Sequence, residues 1–488
     1  MNFNKPAELP LKLHEQLDNS RRRQILAAVA TGTFMSALDS SVVNIALPKI
    51  GAYFKAPLSI IEWVVMAYLL IISSLLLTYG RMGDMYGHKK IYITGFIIFT
   101  AGSLLCGMVP TIAVLIISRG IQALGAGMLM SMGPAIITDT TPPQQRGKAL
   151  GVNAVAVAVA LTTGPIVGGF LTSQFGWQSI FYINLPVGVI GIIWASKVIP
   201  DSIEREVQPF DIKGAVVIFL ALTSLLVPLS YTEQFGWKNP YIIAALVMGF
   251  MLLLLFVYIE KRTAYPMVDL ALFKNRLFSM SNVSALLNYM AQFSVILLMP
   301  FYLQQLRQLP PSEAGLMLIP MPLTTMLVAP ISGAMSDRFD SRYISSIGMG
   351  IVALGTWQLS NLNISSTNFE IVIGLATVGL GSGMFQAPNN SAIMGSVPDN
   401  RRGIASGMLA TMRNIGMVLG VAVSGAIFSN HMGYLYKVLS QKGITGVELR
   451  NQAFTGAFHL AYIMASILAW VAVVTSLARG STKLEKKI

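Results

Sequence analysis

Long apolar stretches separated by short polar runs repeat from one end of the chain to the other. A helix needs about 20 mostly apolar residues to cross a hydrocarbon core about 30 Å thick. On that measure the pattern predicts membrane spans at 24–47, 59–80, 91–109, 112–138, 148–172, 177–199, 212–231, 240–259, 277–303, 312–335, 343–360, 369–394, 403–428 and 456–478. That makes fourteen. The third and eleventh are the shortest, so thirteen or twelve stays open. With about 22 residues given to each span, the connectors average about a dozen residues, and none can hold a catalytic domain.

Composition agrees. Of 488 residues, 54% are hydrophobic and 11% charged, against roughly 25% charged in an ordinary soluble domain. A soluble enzyme, a disordered chain and a DNA-binding domain are all excluded. The formal net charge of +13 does not gather on one module, as it would in a nucleic-acid-binding protein; it sits in short runs between spans. With the N-terminus placed inside, 25 of the 34 Lys and Arg fall in inside loops and tails or within three residues of them, and 7 in outside loops. That bias predicts an even number of spans, both termini cytoplasmic and the lipid bilayer of the cell membrane as the surroundings. Residues 1–20 are polar, and Arg21–Arg22–Arg23 precede an apolar run too long for a cleaved signal.

An internal repeat divides the chain. Gly80-Arg-Met-Gly-Asp84 returns as Gly333-Ala-Met-Ser-Asp337, Leu124-Gly-Ala-Gly-Met128 as Leu380-Gly-Ser-Gly-Met384, and Arg146-Gly147 with Gly151 as Arg402-Gly403 with Gly407. The offsets are 253, 256 and 256 residues. Spans 1–6 therefore match spans 9–14, and spans 7 and 8 read as an insertion. The expected organisation is a tail (1–23), a six-helix bundle (24–199), a linker with two inserted helices (200–276), a second six-helix bundle (277–478) and a tail (479–488). Parallel repeats of this kind build transporters with a binding site at the membrane midplane between the halves.

The run Gly80-Arg-Met-Gly-Asp-Met-Tyr-Gly-His-Lys-Lys90 joins spans 2 and 3. Gly83 and Gly87 suit a tight turn, Asp84 suits a helix end or a cation, and Arg81, Lys89 and Lys90 supply cations. Such a cluster can latch two bundles in one state, with Asp337, Arg338 and Arg342 in the second copy. A positive loop without switching is the competing reading, and the second copy has Asp340 where Gly87 stands in the first.

This run resembles the signature loop of the major facilitator superfamily. Leu38-Asp39-Ser-Ser-Val-Val-Asn44-Ile-Ala46-Leu47-Pro48 resembles the span-1 motif of its fourteen-helix drug:proton antiporter family. Arg119-Gly-Ile-Gln-Ala-Leu-Gly125-Ala-Gly127 resembles the span-4 motif whose arginine is tied to proton coupling. Gly151 through Gly164-Pro165-Ile-Val-Gly168-Gly169 resembles the span-5 antiporter motif, with Ala160 where a glycine is usual. The resemblance covers nearly the whole chain. It implies an all-α integral membrane protein of the major facilitator fold: two six-helix bundles plus two inserted helices. Physically, the small residues of span 5 permit close helix approach and Pro165 can kink the helix. Gly164, Pro165, Gly168 and Gly169 are therefore hinge candidates, with ordinary close packing as the alternative.

Charges inside spans are costly unless paired or solvated. Asp39 lies about 12 Å and Arg119 about 10 Å from the outer ends of their spans at 1.5 Å per residue, so they share a depth. Burial raises the proton affinity of a carboxyl and a nearby arginine lowers it. A conformational change that alters their separation would load and release a proton, and one charge moving down 100 mV supplies about 2.3 kcal/mol. A static buried ion pair is the competing reading. Glu62, near the outer interface, either attracts cationic substrates or starts its helix. Arg413 lies in mid-span at the position matching Val157, so packing symmetry does not require it. His459 reads as a core histidine.

Phe34, Asn44, Tyr68, Asn288, Tyr289, Gln292, Phe293, Phe385, Gln386, Asn389 and Asn390 are polar or aromatic within spans and should face the interior. With Glu62 and Arg413 they are the candidate substrate contacts. The 27 methionines suit an adaptable apolar pocket as well as an ordinary apolar bundle. Cys106 is alone, and His14, His88, His431 and His459 are scattered, so no metal site is expected. There is no G-x-x-x-x-G-K-[ST] run, so no ATPase.

The expectation is a monomeric secondary transporter that needs no cofactor but protons. It exports lipophilic or amphipathic small molecules, cationic ones included, as in multidrug efflux and antibiotic resistance. An accessory periplasmic protein docking on the 429–455 outer loop is left open; nucleic acid is not a partner. An exporter of one endogenous metabolite, lipid or siderophore is the alternative on the same fold. A passive channel or a membrane-embedded enzyme is the alternative of another class.

Overall fold

The computed structural model describes residues 17–201, 211–236, 238–263, 270–398 and 401–480. The backbone is described at Arg81 and Asp337, but their side chains lie outside the described residues. Among the described residues the secondary structure is entirely helical. The helices are α1 (Asn19–Phe54), α2 (Leu58–Ile61), α3 (Trp63–Tyr86), α4 (His88–Gly107), α5 (Ile112–Thr140), α6 (Arg146–Phe175), α7 (Ser179–Tyr182), α8 (Asn184–Val198), α9 (Ile212–Phe235), α10 (Pro240–Arg262), α11 (Arg276–Phe301), α12 (Pro311–Leu318), α13 (Pro320–Arg338), α14 (Ser341–Ser360), α15 (Asn368–Gly395), α16 (Arg402–Gln441) and α17 (Gly446–Ala478).

Local chemistry sets the ends and breaks. Asp18 caps α1 by accepting from the Arg21 amide, Thr111 caps α5, and Thr367 with Glu370 forms a capping box on α15. Three rods are interrupted near the same end of the bundle: α2/α3 at Glu62 and α7/α8 at Ile183 after about one turn, and α12/α13 at Ile319 after about two. Pro300 sits near the end of α11, and a π-helical turn follows at Tyr302–Leu306. Such turns add a residue to the helix and are frequent at functional sites.

Twelve helical segments among the described residues are long and apolar enough to cross a membrane. The expectation was fourteen. The two remaining positions hold helices too, α9 and α14. α14 is the more polar because Ser341 and Ser345 face inward, where both accept hydrogen bonds from Arg479 at 3.0 and 3.3 Å. Large apolar side chains such as Ile190, Phe250, Leu254, Leu327 and Val474 are exposed, a surface suited to lipid.

In the first half α4 packs on α5 and α8, α3 on α5, and α1 on α6; in the second, α14 packs on α15 and α17, α13 on α15, and α11 on α16. The repeat is visible in backbone contacts. Gly95 and Gly125 meet with no room for a side chain, and so do Gly348 and Gly381, at offsets of 253 and 256. Gly102 lies on Gln122, and Gly355 lies on Val378, at the same two offsets. α9 and α10 pack on each other, and α9 touches both α3 and α16, so the inserted pair straddles the seam between halves.

α1 begins and α17 ends at one end of the bundle, the terminal end; the opposite end is the far end. The halves meet tightly at the far end. Gln304 Nε2 donates to the Ile45 carbonyl at 2.7 Å, and the Ser312 amide donates to Ser173 Oγ at 3.0 Å. Side chains at Gly169 or Gly315 would collide with the Pro311 or Pro165 carbonyl, and one at Gly425 with the Glu62 carboxylate.

Candidate functional site

Four helices of the first half bring one polar cluster into its core. Asp39 comes from the middle of α1, Ser103 from α4, Arg119 and Gln122 from successive turns of α5, and Asn184 from the first residue of α8. Each is at most 1% exposed. Arg119 Nη1 donates to Asp39 Oδ2 and to Gln122 Oε1, both at 2.6 Å, and Arg119 Nε donates to the Val64 carbonyl at 3.1 Å. Gln122 Nε2 and Asn184 Nδ2 each donate to Asp39 Oδ1 at 2.8 Å. Both amides also donate to Ser103 Oγ, at 2.6 and 3.1 Å. Cys106 Sγ lies 3.7 Å from Gln122 Oε1.

The carboxylate thus accepts three hydrogen bonds and faces one cation. The Tyr68 ring lies beneath the guanidinium, 4.1 Å from Arg119 Cζ to the ring centroid, a cation–π contact on its apolar face. Phe181 closes a second side at 5.8 Å. The Asp39–Arg119 pair is therefore dry and fully engaged. Two charges taken out of water are tolerated only with such geometry, and removing one partner of a buried pair costs about 3–5 kcal/mol.

The fold does not demand this cluster. In the second half the positions equivalent to Arg119 and Gln122 are Leu375 and Val378, both fully buried and apolar. The two halves share their helix contacts and differ in this chemistry.

The structure brings Asp39 and Arg119 into contact. Among the expected substrate contacts, Tyr68 belongs to the same cluster. Tyr289 faces Arg413 across α11 and α16, and Arg413 is half-buried with no hydrogen bond on its Nε. Asn288 is fully buried, and neither its amide nitrogen nor its oxygen has a partner; the Gln292 Nε2 close by is likewise unpartnered. Phe34 and Phe293 are half-buried against the apolar core. Asn44 donates to Ser40 within its own helix, and Phe385 is buried. Gln386 is half-buried, Asn390 exposed, and His459 contacts the Ser360 carbonyl.

Three candidates have surroundings that their sequence positions do not show. Glu62 is fully buried rather than interfacial, makes no capping bond to α3, and lies at the seam against Gly425 of α16. Asn389 donates to the Ser281 carbonyl and accepts from Arg479 Nη1 at 2.9 Å, so its amide ties helices together within the second half. Arg479 is buried, and burial pushes its guanidinium down to about 10. In the loop cluster, Asp84 pairs with His88 Nε2 at 3.2 Å, and His88 Nδ1 meets Asp139 at 2.6 Å. Lys89 is 3.8 Å from Asp201, and Lys90 is exposed. Asp84, His88 and Asp139 belong to the first half, and Asp201 to the linker that follows it. Gly80 and Gly83 pack on α5, and Gly87 adopts φ 94°, which favours glycine at the α3/α4 turn. Arg338 is exposed at the end of α13.

The hinge candidates form a packing seam. Gly164 lies on Ser41 and Gly168 on Val42 and Ile45 of α1, while Pro165 and Gly169 touch α12 of the other half. Gln122, Ser103 and Asn184 were not singled out by sequence, although Gln122 stands in the Arg119 motif itself.

The family model described as "Major Facilitator Superfamily" matches residues 29–260, 212–421 and 281–486. The chain is 36% identical over 440 residues to "Riboflavin transporter RibZ" of Clostridioides difficile (strain 630), covering 90% of this chain and 95% of that one. It is 32% identical over 411 residues to "Multidrug resistance protein Stp" of Mycobacterium tuberculosis (strain CDC 1551 / Oshkosh), covering 84% and 76%. Its fold is similar to that of a bacterial homolog of the human lysosomal transporter Spinster, solved in an inward-facing and unoccupied conformation. That match has a TM-score of 0.69 at 14% identity and covers 95% of this chain and 98% of that one.

Proposed function

The chain belongs to the major facilitator superfamily and is a transporter rather than an enzyme, and from that premise we propose that it is a proton-coupled exporter of amphipathic small molecules. The observation that carries this reading is the buried Asp39–Arg119 pair, wrapped by Gln122, Asn184 and Ser103 in one half, with Leu375 and Val378 standing at the positions of Arg119 and Gln122 in the other. In this reading Asp39 is the proton carrier and Arg119 governs it, since a nearby cation lowers the proton affinity of a carboxyl group. The relative named for multidrug resistance supports the substrate class.

We read fourteen spans, α9 and α14 included, with both termini in the cytoplasm of a cell-membrane protein. The charge bias of the loops supports this orientation. The far end is then the outer face, and it is shut in this state. Opening the outer seam and closing the inner one would complete alternating access between the halves. The test is dye efflux from proteoliposomes with and without an imposed pH gradient. Wild type should need the gradient, and variants at Asp39 or Arg119 should not respond to it.

A second reading is transport of one planar polar metabolite, favoured by the relative named as a riboflavin transporter and by the unpartnered amides of Asn288 and Gln292. Riboflavin competing with dye at low concentration, and a narrow substrate panel, would favour it.

A further inference from the structure

At the far end, outside the seam, a cavity of about 460 Å³ is lined by residues of both halves. Small-molecule sites are typically ≈ 300–1,000 Å³. The first half contributes Lys55 and the apolar turn that follows it; the second contributes Gln305, Phe428, Ser429 and Tyr436, and the start of α17 adds Arg450. Gln305 is delivered by the π-helical turn that also sends Gln304 across to the Ile45 carbonyl. Lys55 ends α1 in the left-handed region, at φ 51° and ψ 38°. A residue with a side chain is disfavoured there relative to glycine, yet a lysine occupies the position.

The chemistry of the lining is one-sided. Lys55 and Arg450 are cations, and Gln305, Ser429 and Tyr436 offer N–H or O–H donors. No acidic side chain lines the cavity among the described residues. Phe428 and Ile61 supply an apolar floor.

We propose that this vestibule is a second binding site, distinct from the buried cluster, for an amphipathic organic anion such as an aromatic carboxylate or sulfonate. Because both halves build it, the site is complete only while the far end is shut. An occupant binds the closed seam better than an open one, and holds it closed by that difference. An anion on the far side thereby slows the opening of that side. This holds whichever molecule the transporter carries.

The test is calorimetric titration of 2-naphthalenesulfonate into the full-length protein in phosphatidylcholine nanodiscs. One saturable site is expected, and the double variant Lys55→Gln/Arg450→Gln, at exposed positions, weakens it about tenfold or more. A naphthyl trimethylammonium cation of the same size should not compete. In a Ser173→Cys/Ser312→Cys protein the sulfonate should also speed disulfide formation across the seam. Unchanged affinity in the double variant, equal binding of the cation, or no saturable binding would overturn the proposal. Phosphatidylglycerol discs separate the two sources of such an anion: suppressed sulfonate binding assigns the site to a lipid headgroup, and persistent binding to a soluble anion.

Discussion

Arg119 and Asp39 meet through Nη1 and Oδ2 at 2.6 Å, and Gln122 bridges them by accepting from that same Nη1 and donating to Asp39 Oδ1. The three side chains close a ring in which each polar group answers another. The ring explains how two charges persist in an apolar bundle.

Truncating either end of the pair should destabilise the protein. Asp39→Ala leaves Arg119 buried with only neutral partners, at a cost of about 3–5 kcal/mol. Arg119→Ala should cost as much. Asp39→Asn keeps the shape and most hydrogen bonds, so its loss should be clearly smaller. Thermal unfolding in detergent orders these variants, and equal losses for Asp39→Asn and Asp39→Ala would contradict the account.

Gln122→Val installs the residue of the second half at the equivalent place. It removes donors to Asp39 and Ser103 and an acceptor for Arg119; each of these keeps at least one other partner, so the loss is that of the hydrogen bonds themselves, about 1 kcal/mol each. Transport should become less sensitive to pH while substrate binding is retained. Dye efflux against external pH, beside dye binding, separates the two effects.

The seam of small residues sets the closed state. Gly169→Ala puts a methyl group onto the Pro311 carbonyl, which nothing nearby can yield to cheaply. Overpacking of this kind costs about 1–3 kcal/mol, which shifts the balance toward the far-open state by about 5- to 150-fold. A cysteine at Ser173 should react faster with a membrane-impermeant maleimide in the Gly169→Ala background. An unchanged rate would mean that the seam is not the determinant of closure.

Arg479 links the end of α17 to Ser341, Ser345 and Asn389. Burial lowers its guanidinium to about 10, so it keeps its charge and these bonds through neutral pH. The sign follows: above about 10 the native state sheds a proton that the unfolded chain keeps, and burial of the charge stops opposing folding there. Between pH 6 and 9 the loss of stability in Arg479→Ala should therefore be constant. Thermal melts across that range check it, and a loss that vanished within the range would contradict it.

Much of this architecture was legible in the chain. The repeat offsets of 253 and 256 recur as the Gly95–Gly125 and Gly348–Gly381 contacts, because close backbone approach tolerates no side chain. Asp39 and Arg119 stood out because charge is rare in apolar spans. Gln122, Ser103 and Asn184 did not, because neutral polar residues are common in spans and Asn184 is 145 residues from Asp39 in sequence. Nor did the sequence mark the break at Glu62: no glycine or proline lies beside it, and its burial depends on Gly425 more than 350 residues away. Arg479 was counted with a cytoplasmic tail, and only the packing of α14, α15 and α17 draws it inside.

The central claim is that Asp39 carries the proton exchanged for substrate. Proteoliposomes loaded with a pH-sensitive dye report proton movement when substrate is added. The account predicts substrate-driven proton flux in wild type and its loss, by roughly 100-fold or more for about 3 kcal/mol of lost coupling, in Asp39→Asn, with substrate exchange still measurable. Substrate-driven proton flux of wild-type size in Asp39→Asn would contradict it.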